Sequence, residues 1–204
     1  MSGSRELAGA IARRRDVALA GHRGDVASVR DALADDDATV RATALGALAR
    51  AGAFTAGDAA GGAADAAAVV RRRVAEAIAA TDVDGGIDVL VGLLDDADAS
   101  VVEVAAWACG EVARASRAVA LLARLAVDHE DALVREAAVA ALGAIGDPAG
   151  LPAILHATSD KPAVRRRAVL ALAPFDGPDV DAALARARTD RDWQVRQAAE
   201  DLTD

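Results

Sequence analysis

The sequence predicts an all-α protein built as a row of stacked helix–turn–helix units, and three observations carry that expectation. Hydrophobic residues make up 53% of the 204 residues, yet aromatics reach only 2% and tyrosine is missing. Most of that apolar content is alanine, the strongest helix former, so a core has to form from small side chains on closely approaching helices. A valine-anchored phrase returns six times, at Val40, Val70, Val101, Val134, Val164 and Val195, with intervals of 30, 31, 33, 30 and 31 residues. An aspartate stands three residues before the valine in four copies: Asp37, Asp98, Asp131 and Asp192. A fixed period of this length marks a repeat architecture in which each unit is too small to bury its own apolar face.

Residues 1–22 read as an N-terminal capping helix. Residues 25–34, DVASVRDALA, then supply the first helix of the first pair, and DATVRATALGALA the second. In that second helix Val40, Ala44, Ala47 and Leu48 form one apolar stripe, as Val134, Ala138, Ala141 and Leu142 do in the fourth copy. The aspartate before the valine is placed to accept the free N–H groups of the first turn as an N-cap, worth about 1 kcal/mol. An arginine follows the valine in five copies (Arg41, Arg71, Arg135, Arg165, Arg196), within i,i+4 reach of that aspartate where it is present.

The second unit has Gly57, Gly61 and Gly62 where its first helix should run, which predicts a short, soft helix. The third, GIDVLVGLL followed by ASVVEVAAWACGE, has Val102 in place of arginine, which should interrupt an arginine ladder. AVALLARLA, GLPAILHAT and DVDAALARA open the last three units, with Gly146–Pro148 and Asp176–Pro178 punctuating the links. The sixth second helix stops early, at Leu202, and serves as the other cap. The whole of residues 1–204 reads as one domain.

The phrase D-x-x-V-R followed by A-x-x-A-L-G-x-I-G-D-P, carried nearly throughout by Asp131–Pro148, resembles the HEAT-like repeat first associated with phycobilisome lyases. The resemblance covers roughly residues 24–204. It implies a right-handed α-solenoid of about six repeats, with the capped second helices lining the concave side and Asp and Arg laddered near the turns. A bilin lyase or other enzyme-associated role is the alternative that the resemblance offers. The Asp-rich, Lys-poor composition, with 25 Asp against 7 Glu and 22 Arg against the single Lys161, is similar to that of cytosolic proteins of salt-loving archaea, and so of haloarchaeal HEAT-repeat proteins. A GC-rich genome favours the same codons, and both readings stand at this point.

Composition also excludes functions. A net charge of −9 argues against a nucleic-acid partner, which needs a cationic stripe. No run of 18 apolar residues spans a membrane, and the N-terminus lacks the apolar core of a secretory signal, so the expectation is a cytoplasmic protein, monomeric when free. Cys109 is the one cysteine and sits on an apolar helix face. Asp35–Asp37, Asp96 and Asp98 look like the start of a calcium loop, but the twelfth position counted from Asp96 is Trp107 rather than glutamate. His129–Glu130 is similar to the iron-holding His-Glu pairs of deoxyhypusine hydroxylase, but the chain has one such pair, and His22, His129 and His156 share no ligand spacing. The reading is therefore non-catalytic, with no metal and no cofactor.

What is left is a surface. At about 100° per residue, positions two and six after each valine point away from the packing stripe. They include Arg72, Glu76, Glu103, Trp107, Glu136, Ala140, Arg166 and Leu170. These residues are the expected protein-binding patch of the concave face, with Trp107 at its centre and the charges around it. The outer arginines of the triplets Arg71–Arg73 and Arg165–Arg167 read as solvated.

Overall fold

Alanine at the seventh position after the first five anchors (Ala47, Ala77, Ala108, Ala141, Ala171) lets the second helices stack closely. The computed structural model describes residues 2–112 and 115–202, with side chains from residue 7 onward. Among them are thirteen α-helices, three short 3₁₀ segments and no strand. The chain divides into two compact units, Met1–Leu93 and Leu94–Asp204.

The first unit holds α1 (Ser2–His22), α2 (Val26–Asp31), α3 (Ala38–Arg50), α4 (Ala56–Ala63), α5 (Ala68–Thr81) and α6 (Gly86–Leu93). The expected capping helix is α1; Met1 lies outside the described residues. Helices α1, α3 and α5 pack side by side as one layer, and α4 packs on α5 and α6 behind it. The second unit holds α7 (Ala99–Glu111), α8 (Val119–Asp128), α9 (Ala132–Ile145), α10 (Leu151–Ala157), α11 (Pro162–Ala171), α12 (Pro178–Ala187) and α13 (Trp193–Asp201). Here α7, α9, α11 and α13 form one layer of second helices, and α8, α10 and α12 form the layer of first helices behind it. Repeat boundaries follow the sequence spacing throughout.

All six anchor valines are buried, as are the residues four positions on: Ala44, Val74, Ala105, Ala138, Ala168 and Ala199. Leu48, Ile78, Cys109, Leu142 and Leu172, eight positions on, complete the stripe. Leu90, Leu122 and Ile154 meet it from the first helices, each burial contributing about 1.5–3 kcal/mol. At the far end Val195, Ala198 and Ala199 cluster with Val169, and Leu202 closes the core.

The second helices approach through their smallest residues. A Cβ placed on Gly143 would lie 2.7 Å from the Cα and Cβ of Ala171, and one on Gly110 would lie 3.1 Å from the Cα of Ala141. Gly21 of α1 meets Ala47 in the same way, at 2.7 Å. In α7 and α9 the glycine is nine residues past its anchor; in every case the alanine opposite is seven past its own. The backbones therefore sit at the short end of the 8–10 Å range for packed helices.

The aspartates before the valines cap their helices as expected. Asp37 accepts from the backbone N–H of Thr39 at 2.8 Å, and Asp98, Asp131 and Asp192 each accept from the residue two further on at 2.9 Å. The arginines, however, do not turn back to them. Arg41, Arg135 and Arg165 reach instead to an aspartate ahead of the next repeat's helix, four or five residues before its valine, while Arg196 in the last repeat donates to the carbonyls of Asp190 and Arg191. Arg41 holds Asp65 through two bonds of 2.7 and 2.8 Å, Arg135 holds Asp160 at 2.6 and 2.8 Å, and Arg165 holds Asp190 at 2.9 and 2.7 Å. A further N–H of each arginine donates to carbonyls of its own preceding turn, such as Asp35 and Asp36 for Arg41. Arg13 extends the series into the capping helix by pairing with Asp35.

The interruption expected at Val102 is real and is matched on the other side. Val102 is buried, and the position that would have received its arginine is His129. In four other copies that position is an aspartate that also accepts the backbone N–H two residues on: Asp35, Asp65, Asp96 and Asp190. His129 keeps this second task, its Nδ1 accepting from the N–H of Asp131 at 3.1 Å. With no guanidinium to pair, the turn needs only the acceptor nitrogen.

The glycine-rich helix is short, as expected, beside second helices of 13 or 14 residues. At eight residues α4 is as long as α6, and a capping box between Thr55 and Asp58 closes its start. Its glycines are not equivalent. A Cβ at Gly61 meets nothing within 4 Å, whereas one at Gly62 would lie 2.5 Å from Cγ2 of Val74 and 3.1 Å from Cδ1 of Leu45. Gly61→Ala should stabilise the protein by about 0.5–1 kcal/mol, and Gly62→Ala should destabilise it by about 1–3 kcal/mol, in denaturant melts.

The arginine bonds hold the carboxyls of Asp65, Asp160 and Asp190 below the ordinary carboxylate range, against the opposing effect of burial. A depressed carboxylate stabilises the fold above its unfolded pKa of about 3.9, and that contribution is lost as pH falls through the folded value. Stability should therefore drop progressively below about pH 4. Arg135→Gln should cost about 2 kcal/mol at neutral pH. It should also shrink the stability difference between pH 6 and pH 3, because Asp160 then titrates near its ordinary value. Unfolding series across that range check both outcomes.

Candidate functional site

Residues that face away from the packing stripe of the second helices are left to line the outer surface of that layer. Two hollows open on this surface in the second unit among the described residues. The larger, about 450 Å³, has Glu103, Val104 and Trp107 from α7 on one side. Leu133, Glu136, Ala137 and Ala140 from α9 form the other side, and Arg167 reaches in from α11. Trp107 is 44% exposed, although Val101, Ala105, Ala108 and Cys109 on the same helix are fully buried. The indole is not needed to complete the stripe, and small Ala137 and Ala140 opposite leave the space into which it opens. Among the expected patch residues, Glu103, Trp107, Glu136 and Ala140 are thus brought together.

Arg166 and Leu170 line the second hollow, about 270 Å³, with Trp193, Gln194, Gln197, Ala198 and Asp201 of α13. Trp193 is 64% exposed and Leu133 56%. Neither belonged to the expected patch. The arithmetic that selected positions two and six also admits those one before and three after the valine, on the same side of the helix. These are Leu133, Val104, Ala137, Arg167, Gln194 and Ala198. Extending the count would have found them. Trp193, two before its valine, sits in the first turn, where a side chain lies over the helix end.

Arg72 and Glu76 join neither hollow; both lie on α5, in the first unit. Glu76 pairs with Arg73, three residues earlier, and Arg73 lies across Gly46, with its Cδ 3.3 Å from where a Cβ would be. Arg167 occupies the corresponding place in the second unit, its Nε 3.5 Å from Oε1 of Glu136. Arg73 and Arg167 therefore lie beside carboxylates with about two-fifths of each side chain still exposed, and Arg166 is exposed, in keeping with the solvated reading of the outer arginines.

Other candidates are occupied by structural tasks. Asp35 and Asp37 serve as ladder acceptor and helix cap. A hollow of about 260 Å³ beside Gly57 and Gly61 contains Asp58 and Asp65, already bound by Arg30 and Arg41. Burial pushes the Cys109 thiol up to about 12, so it stays protonated. Among the described residues no group of three His, Cys, Asp or Glu side chains is placed to hold a metal ion, and no helix is long and apolar enough to cross a membrane.

Comparison with solved structures finds repeat proteins. A designed armadillo repeat protein aligns at 20% identity over 85% of this chain and 96% of its own, with a TM-score of 0.65. An engineered protein aligns at 22% identity over 87% of this chain and 96% of its own, with a TM-score of 0.67. A second designed armadillo repeat protein, in complex with the peptide (KR)4, aligns at 20% identity over 98% and 94% of the two chains, with a TM-score of 0.54. At these identities the likeness is one of fold, an α-solenoid of helical repeats. No curated protein matches the sequence. The model of HEAT repeats matches residues 60–139, 87–161 and 120–202, well over half of the chain, and together with the stacked helical pairs this makes the protein a member of the HEAT-repeat family.

Proposed function

We propose that this protein is a non-catalytic adaptor or assembly factor, and that it holds a segment of a partner protein against the second-helix surface of residues 94–204. The observation that carries the reading is Trp107, an exposed aromatic on a helix whose core stripe is complete without it, at the mouth of a hollow rimmed by Glu103, Glu136 and Arg167. A central aromatic ringed by polar groups is the usual form of an energetic hot spot in a protein interface. Fold likeness adds support, since one solved relative is a complex with the peptide (KR)4 and another was designed for modular peptide recognition. The carboxylate excess, net −9, disfavours nucleic acid as the occupant. We assign the repeats to the phycobilisome-lyase-type branch on the phrase Asp131–Pro148, with a cytoplasmic location and no catalytic role as parts of the same proposal.

Trp107→Ala tests it. The exposed position should leave the melting temperature within about 2 °C of wild type. A partner recovered with the wild-type protein, then re-measured from purified components, should bind the variant at least about 30-fold more weakly, equivalent to a hot-spot loss of about 2 kcal/mol. A large drop in stability with affinity intact would return Trp107 to a packing role and end the proposal.

A further inference from the structure

The proposed surface has a chemical signature that narrows its occupant. Among the described residues no cation lies within ion-pair distance of Glu103, and Glu136 has only the long, 3.5 Å contact with Arg167. Between them the hollow is walled by Val104, Trp107, Leu133 and Ala140. An apolar sleeve ending in under-neutralised carboxylates suits a side chain with an aliphatic stem and a cationic head. The indole adds cation–π attraction for such a head. The second hollow differs in chemistry. Leu170, Trp193 and Ala198 supply its apolar wall, and at its edge Arg166 offsets the charge of Asp201, which accepts from Gln197, so no negative charge is in excess. It suits an aliphatic side chain.

The two hollows sit in one layer, between α7 and α9 and between α11 and α13, two helices apart. Packed helices lie about 8–10 Å apart, which separates the hollows by about 16–20 Å. An extended chain advances about 3.3 Å per residue and presents every second side chain to the same side. Side chains six residues apart therefore match both the distance and the facing.

Resting on the proposed function, we infer that the surface receives an extended segment of a partner protein carrying an arginine or lysine in the Trp107–Glu103–Glu136 hollow and an aliphatic residue six positions away in the Trp193 hollow. The charge of the occupant follows from the groove itself and not only from the net charge of the protein, which distinguishes this inference from general attraction of cations to an acidic surface.

Fluorescein-labelled peptides with arginine and leucine separated by five serines, made in both chain directions, are the probe. Anisotropy titrations against the full chain should show one direction binding at least tenfold more tightly than its counterpart with glutamine for arginine, and more tightly still than one with glutamate. Glu103→Gln and Trp107→Ala should each abolish that preference, whereas Asp181→Asn on the exposed side of α12 should preserve it. Moving the leucine to four residues from the arginine should weaken binding. Equal binding of arginine and glutamine peptides, both lost on Trp107→Ala, would overturn the cationic anchor while leaving the groove as the binding surface. An arginine preference unchanged by Glu103→Gln and Trp107→Ala would overturn inference and surface together. Failure of every peptide, with a purified partner still sensitive to Trp107→Ala, would overturn the six-residue register.

Discussion

The close approach of one second helix to the next governs most of what this protein is. Glycine and alanine face each other at Gly21–Ala47, Gly110–Ala141 and Gly143–Ala171, where an added methyl group would meet backbone or Cβ atoms. Because those contacts fix the distance between helices, they also fix which side chains can bridge it. A guanidinium one residue past the anchor lies within reach of an aspartate ahead of the next helix. A residue three past the anchor falls across the neighbouring surface. With alanine supplying most of the contact, dispersion has to be gathered from many small, well-fitted pairs, and there is little slack for a misplaced helix.

The arginine–aspartate bonds act within that spacing as a register device. Each couples three things: a second helix, the turn that precedes it, and the turn of the next repeat. Partial burial makes them stronger than exposed pairs and makes the loss of one partner costly. The exception follows the same logic. Where Val102 removes the guanidinium, His129 removes the carboxylate, so no charge is left buried, and the acceptor role within the turn passes to an imidazole nitrogen. The aspartate excess is thus largely architectural: pairs two residues apart, such as Asp35 and Asp37 or Asp190 and Asp192, divide between a ladder and a cap.

The proposed binding surface lies where this economy is broken. Second helices mostly turn small or charged residues outward, and Trp107, Leu133 and Trp193 stand against that rule. They are exposed, they share the layer formed by α7, α9, α11 and α13, and each opens on space left by small neighbours. Solvent-exposed indole in a chain with only four aromatic residues has no role in the packing described above. In the proposed function, a bound segment covers it and supplies the missing contact.

The sequence by itself determined the all-helical repeat, its six anchors, the buried stripe, the aspartate caps, the exposed place of Trp107 and the break at Val102. All of these follow from interactions inside one helix or from a period shared by every unit, and such information is local in the chain. Tertiary structure alone decided the rest. It sent the arginines to aspartates 24 or 25 residues away, where helical spacing had suggested a partner four residues back, because a short gap between helices makes the distant carboxylate the nearer one. It set Gly62 of α4 against Val74 and Leu45 while leaving the space beside Gly61 open. It brought Leu133 and Arg167 to the hollow of Trp107, and Trp193 to the hollow of Leu170. Which side chains share a hollow depends on what the neighbouring helix leaves unfilled, and no single helix carries that in its own residues.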